Sequence, residues 1–275
     1  MLSVGFGYTV QEIIDPFRDA GKVARALIAN FVLVPILALA IVHWLSLDEP
    51  IAIGLMLLGM AGGAPFLIKL TEAADHDVGL AASLLVLLLP FTILYLPTMM
   101  PLVVPAVTVD AAAIAKPLVL AMLLPLGIGL LARAWLPRSA QRLRPLMGTL
   151  GSIALVAMVS FTLIVNFREV VGLFGSGAIL AATILTAGAY AIGFLLGGRD
   201  PASHNILALG TGQRNVSAAT VVATQSIDDP DTLATVIVSS VIGIAILFPT
   251  AWRLQRKRAD THIRDLYDRR LTGRG

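Results

Sequence analysis

Apolar residues in this chain run in blocks of about 20 rather than in the alternation of a half-buried helix or strand, and the charges fall between the blocks. Cutting the chain at those charges leaves eight stretches, each long enough to cross a ~30 Å hydrocarbon layer as a helix. Their cores are Ala26–Leu45, Ile51–Leu70, Val78–Met100, Ala111–Ala132, Leu146–Val165, Ala178–Leu196, His204–Gln225 and Thr232–Trp252. The connections are too short for an extramembrane domain. Met1–Gln11 is also apolar but, at about 1.5 Å per residue, covers only about half the layer. It has neither the basic n-region nor the small-residue cleavage site of a signal peptide. It reads as the back half of a spanning helix, with the expectation that the front half and an earlier helix lie upstream of Met1. The pattern thus predicts an all-α polytopic membrane protein: one transmembrane domain over 1–252 and a basic cytoplasmic tail over 253–275.

Composition excludes the alternatives. The 275 residues are 57% hydrophobic and 13% charged, with a mean hydropathy of +0.87, where ordinary soluble domains carry roughly 25% charged residues. Too few polar residues remain to cover a soluble core, so the surplus apolar surface faces lipid. The net charge of +3 does not mark a nucleic-acid binder, because Arg253–Gly275 holds eight of the 20 bases and leaves the body slightly acidic. Assigning successive loops to alternate sides puts 17 of the bases on one face, Lys116 and Arg168 on the other, and Arg214 within a span. The basic side, with the C-terminus, is cytoplasmic, which predicts an integral protein of the cell (plasma or inner) membrane. There is no cysteine to ligate a metal. His43, His76, His204 and His262 lie at or beyond span ends and no metalloprotease or nucleophile-elbow motif occurs, so neither an intramembrane enzyme nor a metal or cofactor site is expected.

Two spans carry interruptions. Ile51–Leu70 contains Ala61-Gly62-Gly63-Ala64-Pro65, and His204–Gln225 contains Gly210-Thr211-Gly212-Gln213-Arg214-Asn215. Paired glycines and a proline disfavour a continuous helix. Broken backbone at membrane depth is tolerable only where it lines a cavity or binds something. Two breaks in corresponding halves point to the central site of a transporter built from inverted repeats; they lie five spans apart, an odd offset that inverts topology. For Gly62-Gly63 a second reading stands beside this one: small residues also let helices pack closely. Arg214 is the only charged residue between Pro201 and Ile227, at a cost of about 2.5–3.5 kcal/mol near a helix centre. With no mid-span carboxylate to pair with, its simplest partner is an anionic substrate; the alternative is a guanidinium that snorkels or is satisfied by backbone carbonyls.

At these residues the sequence resembles the bile acid:sodium symporter (BASS) family. That family's second crossing helix carries Glu-x-Gly-x-Gln-Asn, matched here by Gly210-Thr211-Gly212-Gln213-Arg214-Asn215. Its first carries a Gly-Gly break followed by Ser-Asn, where this chain has Gly62-Gly63 followed by Ala64-Pro65-Phe66-Leu67. Gly5-Phe6-Gly7, Ala29-Asn30-Phe31, His76-Asp77-Val78 and Ala189-Tyr190-Ala191-Ile192-Gly193-Phe194 are similar to further family stretches, so the resemblance covers essentially the whole chain. It implies an inverted-repeat secondary transporter with core and panel helices and two crossing broken helices, moving a small organic anion by alternating access. Gln213, Arg214, Asn215, Thr211, Gly62 and Gly63 would bind substrate.

The departures concern sodium. The family's acid is replaced by Gly210, its Ser-Asn pair falls near Phe66-Leu67, and the hydroxyls of the next helix fall near Ala81 and Leu85, so one sodium site is lost. The second keeps Asn30 but has Arg214 in place of a neutral glutamine. Asn30 and Gly210 are therefore read as an ion-site remnant, Arg214 as a substitute for the coupling cation, and two-sodium coupling as impaired. The rival to a transporter is a non-transporting homologue or subunit. The expected partners are an organic anion and lipid.

Overall fold

The computed structural model describes the chain apart from residues 104–109, 166, 174, 228 and 272–275, and gives the backbone alone for some helical positions. In chain order its helices are α1 (Leu2–Gly7), α2 (Val10–Ile14), α3 (Ala20–Leu45), α4 (Glu49–Met60), α5 (Leu67–Ala73), α6 (Val78–Val103), α7 (Ala111–Trp135), α8 (Pro137–Val165), α9 (Phe167–Gly172), α10 (Ala178–Leu196), α11 (Pro201–Gly212), α12 (Val216–Val222) and α13 (Pro230–Leu271). No strand occurs among the described residues.

Among the described residues, five helices are long and apolar enough to cross a membrane unbroken: α3, α6, α7, α10 and the Pro230–Arg256 part of α13. Leu146–Val165 falls inside the 29-residue α8. The two interrupted stretches appear as helix, break and helix: α4 then α5, and α11 then α12. Helix α4 is buried on nearly every side from Ile51 to Met60, as a helix apolar all round must be. It packs on α3 and α13. Large apolar side chains such as Leu94, Leu102 and Leu195 point outward instead. Trp44, Trp135 and Trp252 stand exposed at span ends, where an indole suits the headgroup region.

Two of the local irregularities precede prolines. Pro35 and Pro125 have no N–H for the carbonyl four residues back. One turn before each, the helix widens to π geometry over Ala29–Leu33 and Val119–Leu123. Val34 N–H then donates to Ala29 O, and Leu124 N–H to Val119 O. The first of these widened turns carries Asn30.

One boundary differs from the sequence reading. Met1–Gln11 is not one helix: α1 ends at Gly7, Tyr8 is extended, and Thr9 caps α2. Thr9 Oγ1 accepts from Glu12 N–H at 3.3 Å while the Glu12 carboxylate accepts from Thr9 N–H at 2.7 Å, a reciprocal cap strong enough to restart the chain. Helix α1 lies directly on α7, where a Cβ on Gly129 would fall 2.8 Å from Gly5 Cα; this is the close approach that small residues permit. At the other end the backbone stays helical past Trp252 to Leu271, since no glycine or proline interrupts Arg253–Leu271.

Candidate functional site

The two breaks touch. Ala61 leaves helical geometry, and Gly63 takes φ +73°, a left-handed conformation that favours glycine. A Cβ there would also lie 3.0 Å from Leu88 Cβ. In the second break Gln213 is extended and Asn215 caps α12, its Oδ1 accepting from Ala218 N–H at 3.1 Å. Asn215 N–H donates to Ala61 O at 2.9 Å and Asn215 Nδ2 to Gly63 O at 3.1 Å. Thr92 Oγ1 donates to Gly62 O at 2.9 Å. Around this junction α4 packs by α12, and α5 by α11, the pairing expected of antiparallel broken helices that meet at their breaks.

Arg214 fills the junction and is 5% exposed. Its Nε donates to Leu58 O at 2.9 Å, Nη1 to Asn30 Oδ1 at 2.8 Å and Thr211 O at 3.1 Å, and Nη2 to Gly59 O at 2.8 Å and Asn30 O at 3.4 Å. Asn30 is oriented for this: its Nδ2 donates to Ala26 O at 3.0 Å and Thr211 Oγ1 at 3.3 Å, which turns its oxygen to the guanidinium. A guanidinium has five N–H groups, and each has a protein oxygen. The reading of Arg214 as a fork waiting for a carboxylate therefore differs from the structure, which follows the other reading: satisfaction by carbonyls. The physical reason is that a broken helix leaves its last carbonyls without partners. Gly59 at the end of α4 and Thr211 at the end of α11 supply such oxygens within reach of one side chain, and Leu58 O, which also accepts from Ala61 N–H at 3.1 Å, adds a third.

Beside the junction lies a cavity of about 660 Å³. Its walls are mainly apolar, and its polar members are Gln213, Arg214, Ser217, Thr220, Ser240 and Lys69. Lys69 is paired with Glu72 at 2.8 Å. Gln213 Oε1 is buried without a hydrogen-bond partner, as is Ser239 Oγ. Of the residues expected to bind substrate, Gln213 and Arg214 line this cavity. Thr211, Asn215, Gly62 and Gly63 lie behind it, and Asn215 and Thr211 have their polar atoms engaged with protein. Ser217, Thr220 and Ser240 were not anticipated from the sequence. The spacing of Ser217 and Thr220 by three on the helix after the break was the available signal.

The positions that would hold sodium do not fit it. Gly210 offers no side-chain oxygen, and a Cβ there would fall 2.6 Å from Leu84 Cδ2 and 3.0 Å from Leu67 Cδ2. Ala81 and Leu85 are fully packed in the same apolar cluster. Leucines thus fill one site, and the other is taken by a guanidinium.

The family model described as the Sodium Bile acid symporter family matches residues 1–173. The chain belongs to the sodium bile acid symporter family. The chain is similar to a rice protein named "Probable sodium/metabolite cotransporter BASS2, chloroplastic" (Oryza sativa subsp. japonica), with 28% identity over 200 residues covering 71% of this chain and 47% of that relative. It is similar also to two Arabidopsis thaliana proteins named as probable chloroplastic sodium/metabolite cotransporters. BASS3 is 20% identical over 90% of this chain and 59% of its own length, and BASS1 is 25% identical over 86% and 61%. The chain thus spans about half to three-fifths of these relatives. This symporter-family member is an all-α polytopic membrane protein of a transporter family.

Proposed function

We propose that the protein is a secondary transporter that moves a small organic anion by alternating access through the cavity beside the two breaks. The observation that carries this reading is the 660 Å³ cavity itself, which meets the broken-helix junction at Gln213 and Arg214. Its volume lies in the range of pockets that enclose small organic ligands. Its apolar walls suit the carbon skeleton. No carboxylate lines it among the described residues, while Lys69 and Arg214 do, so a cationic substrate would meet no counter-charge and an anion would meet no repulsion. Gln213, whose Oε1 has no protein partner, is a neutral polar side chain where the cavity meets the break. Inverted repeats, with one half rocking against the other, supply the alternation. The distribution of Lys and Arg supports a cell-membrane protein with its C-terminus in the cytoplasm.

Sodium has no part in this reading, because the ligand positions are occupied by leucines or by Arg214. The test is uptake of a panel of radiolabelled carboxylates and sulfonates into proteoliposomes, with and without a sodium gradient. At least one anion accumulates equally in both, and Gln213→Leu reduces its uptake. A sodium-dependent uptake would overturn the coupling, and exclusive uptake of organic cations would overturn the substrate class. A protein that moves no solute would favour a non-transporting subunit.

A further inference from the structure

We infer that the oxygens gathered where the two breaks meet form a binding cage for a monovalent cation, and that the chain fills this cage with its own side chain. This deepens the transport reading, on which its mechanistic meaning rests, by naming what occupies the coupling position.

The cage has the features of a cation site. Five acceptors from three separate parts of the chain surround one charge: Asn30 Oδ1 and O from α3, Leu58 O and Gly59 O from α4, and Thr211 O from α11. None is a carboxylate, and no acid lies within 4 Å of Arg214 among the described residues. What balances the charge is the pair of helix ends. Helices α4 and α11 each run 12 residues and both end at the cage. A helix C-terminus carries the equivalent of about half a negative charge. Two such ends together offset about one positive charge, and so hold a buried cation without an acid. Four of the five oxygens are main-chain carbonyls, and the fifth, Asn30 Oδ1, is held in place by the bonds from its own Nδ2 to Ala26 O and Thr211 Oγ1, so they persist whatever side chain stands at 214. Remove the guanidinium, and the acceptors and two dipole ends still converge but on no cation, while Leu58 O keeps Ala61 N–H as a donor at 3.1 Å.

It follows that the resident cation stays with the protein through its working cycle. A second cation is kept out by like-charge repulsion in a site shielded from water. Charge neutralisation that a free ion would bring and remove is built in here, and cation binding and release leave the cycle.

The experiment reads stability, not transport. Purified wild type, Arg214→Ala, Arg214→Lys and Arg214→Met are melted in detergent with added guanidinium chloride in the low millimolar range. Sodium and potassium chlorides at equal ionic strength test other small cations, and choline chloride and urea serve as controls. The expected results are a fall of several degrees in the Tm of Arg214→Ala, its saturable recovery with guanidinium but not with choline or urea, and no response in wild type. Recovery of Arg214→Ala with sodium also supports the cage, as binding of another small cation. Arg214→Lys, which keeps a tethered charge, melts above Arg214→Met, which has an unbranched side chain and no charge. This comparison decides the matter if Arg214→Ala does not fold. Failure of every cation to restore Arg214→Ala, or equal melting of the Lys and Met variants, would overturn the inference. A restored cage in a protein that transports no anion would leave it standing and overturn the transport reading instead.

Discussion

Asn215 offers a direct measure of what joining the two breaks contributes, because its side chain makes two contacts that can be removed one at a time. Its Oδ1 caps α12 by accepting from Ala218 N–H at 3.1 Å, and its Nδ2 donates to Gly63 O at 3.1 Å. Asn215→Ser keeps a capping oxygen but cannot reach Gly63, leaving a buried carbonyl unpaired at a cost of about 1–3 kcal/mol. Asn215→Ala loses the cap as well, adding about 1 kcal/mol. The backbone N–H of residue 215 still donates to Ala61 O in both variants, so the breaks stay tethered and the proteins fold. For a domain of 150–250 residues, 1 kcal/mol moves Tm by about 2–4 °C. Thermal unfolding in detergent, followed by intrinsic fluorescence, should rank wild type above Ser and Ser above Ala. A serine variant as stable as wild type would show that the Gly63 contact contributes nothing. An alanine variant as stable as wild type would refute the account of both contacts.

Three further outcomes follow from the same geometry. Gly63→Ala should melt well below Gly62→Ala: at φ +73° an L-residue costs about 1–2 kcal/mol, and its Cβ meets Leu88 Cβ, whereas Gly62 faces only the tip of the Phe31 ring at 3.2 Å. Equal melting would contradict the strain. Thr92→Val, nearly isosteric, should lower stability by about 1–3 kcal/mol because Gly62 O loses its donor, measured by chemical unfolding. Glu12 has its pKa held below the usual carboxylate value by hydrogen bonds from the Thr9 backbone and hydroxyl. The α2 cap is therefore fully formed above the unfolded carboxylate pKa and is lost as pH falls through the lowered folded value; amide hydrogen exchange of Ile13 and Ile14 should accelerate across that window, after correction for intrinsic rates, and Glu12→Gln, which has no carboxylate to titrate, should abolish the transition.

Much of the architecture was legible because the signal is local and additive. A hydrocarbon layer demands about 20 apolar residues per crossing, and five of the eight stretches return, among the described residues, as single helices long and apolar enough to cross. Gly62-Gly63-Ala64-Pro65 and Gly210–Asn215 announce the breaks through backbone preference alone. Arg214 announces itself by its cost. What the pattern could not reach is where the Arg214 donors go. Their acceptors on Asn30, Leu58 and Gly59 lie 155 to 184 residues away, and most of them are carbonyls, which every residue carries and no side chain advertises. A charge without a carboxylate therefore read as a charge in need of a substrate, until the fold brought two helix ends to it. The same holds for Asn215, whose two polar atoms are consumed by the junction, and for Ser217, Thr220 and Ser240, which become cavity walls only when α12 and α13 are set side by side. Local sequence determines which segments form apolar helices and where they break, since those follow from each residue's own energetics. The tertiary structure decides which polar groups are satisfied, since that depends on partners far along the chain.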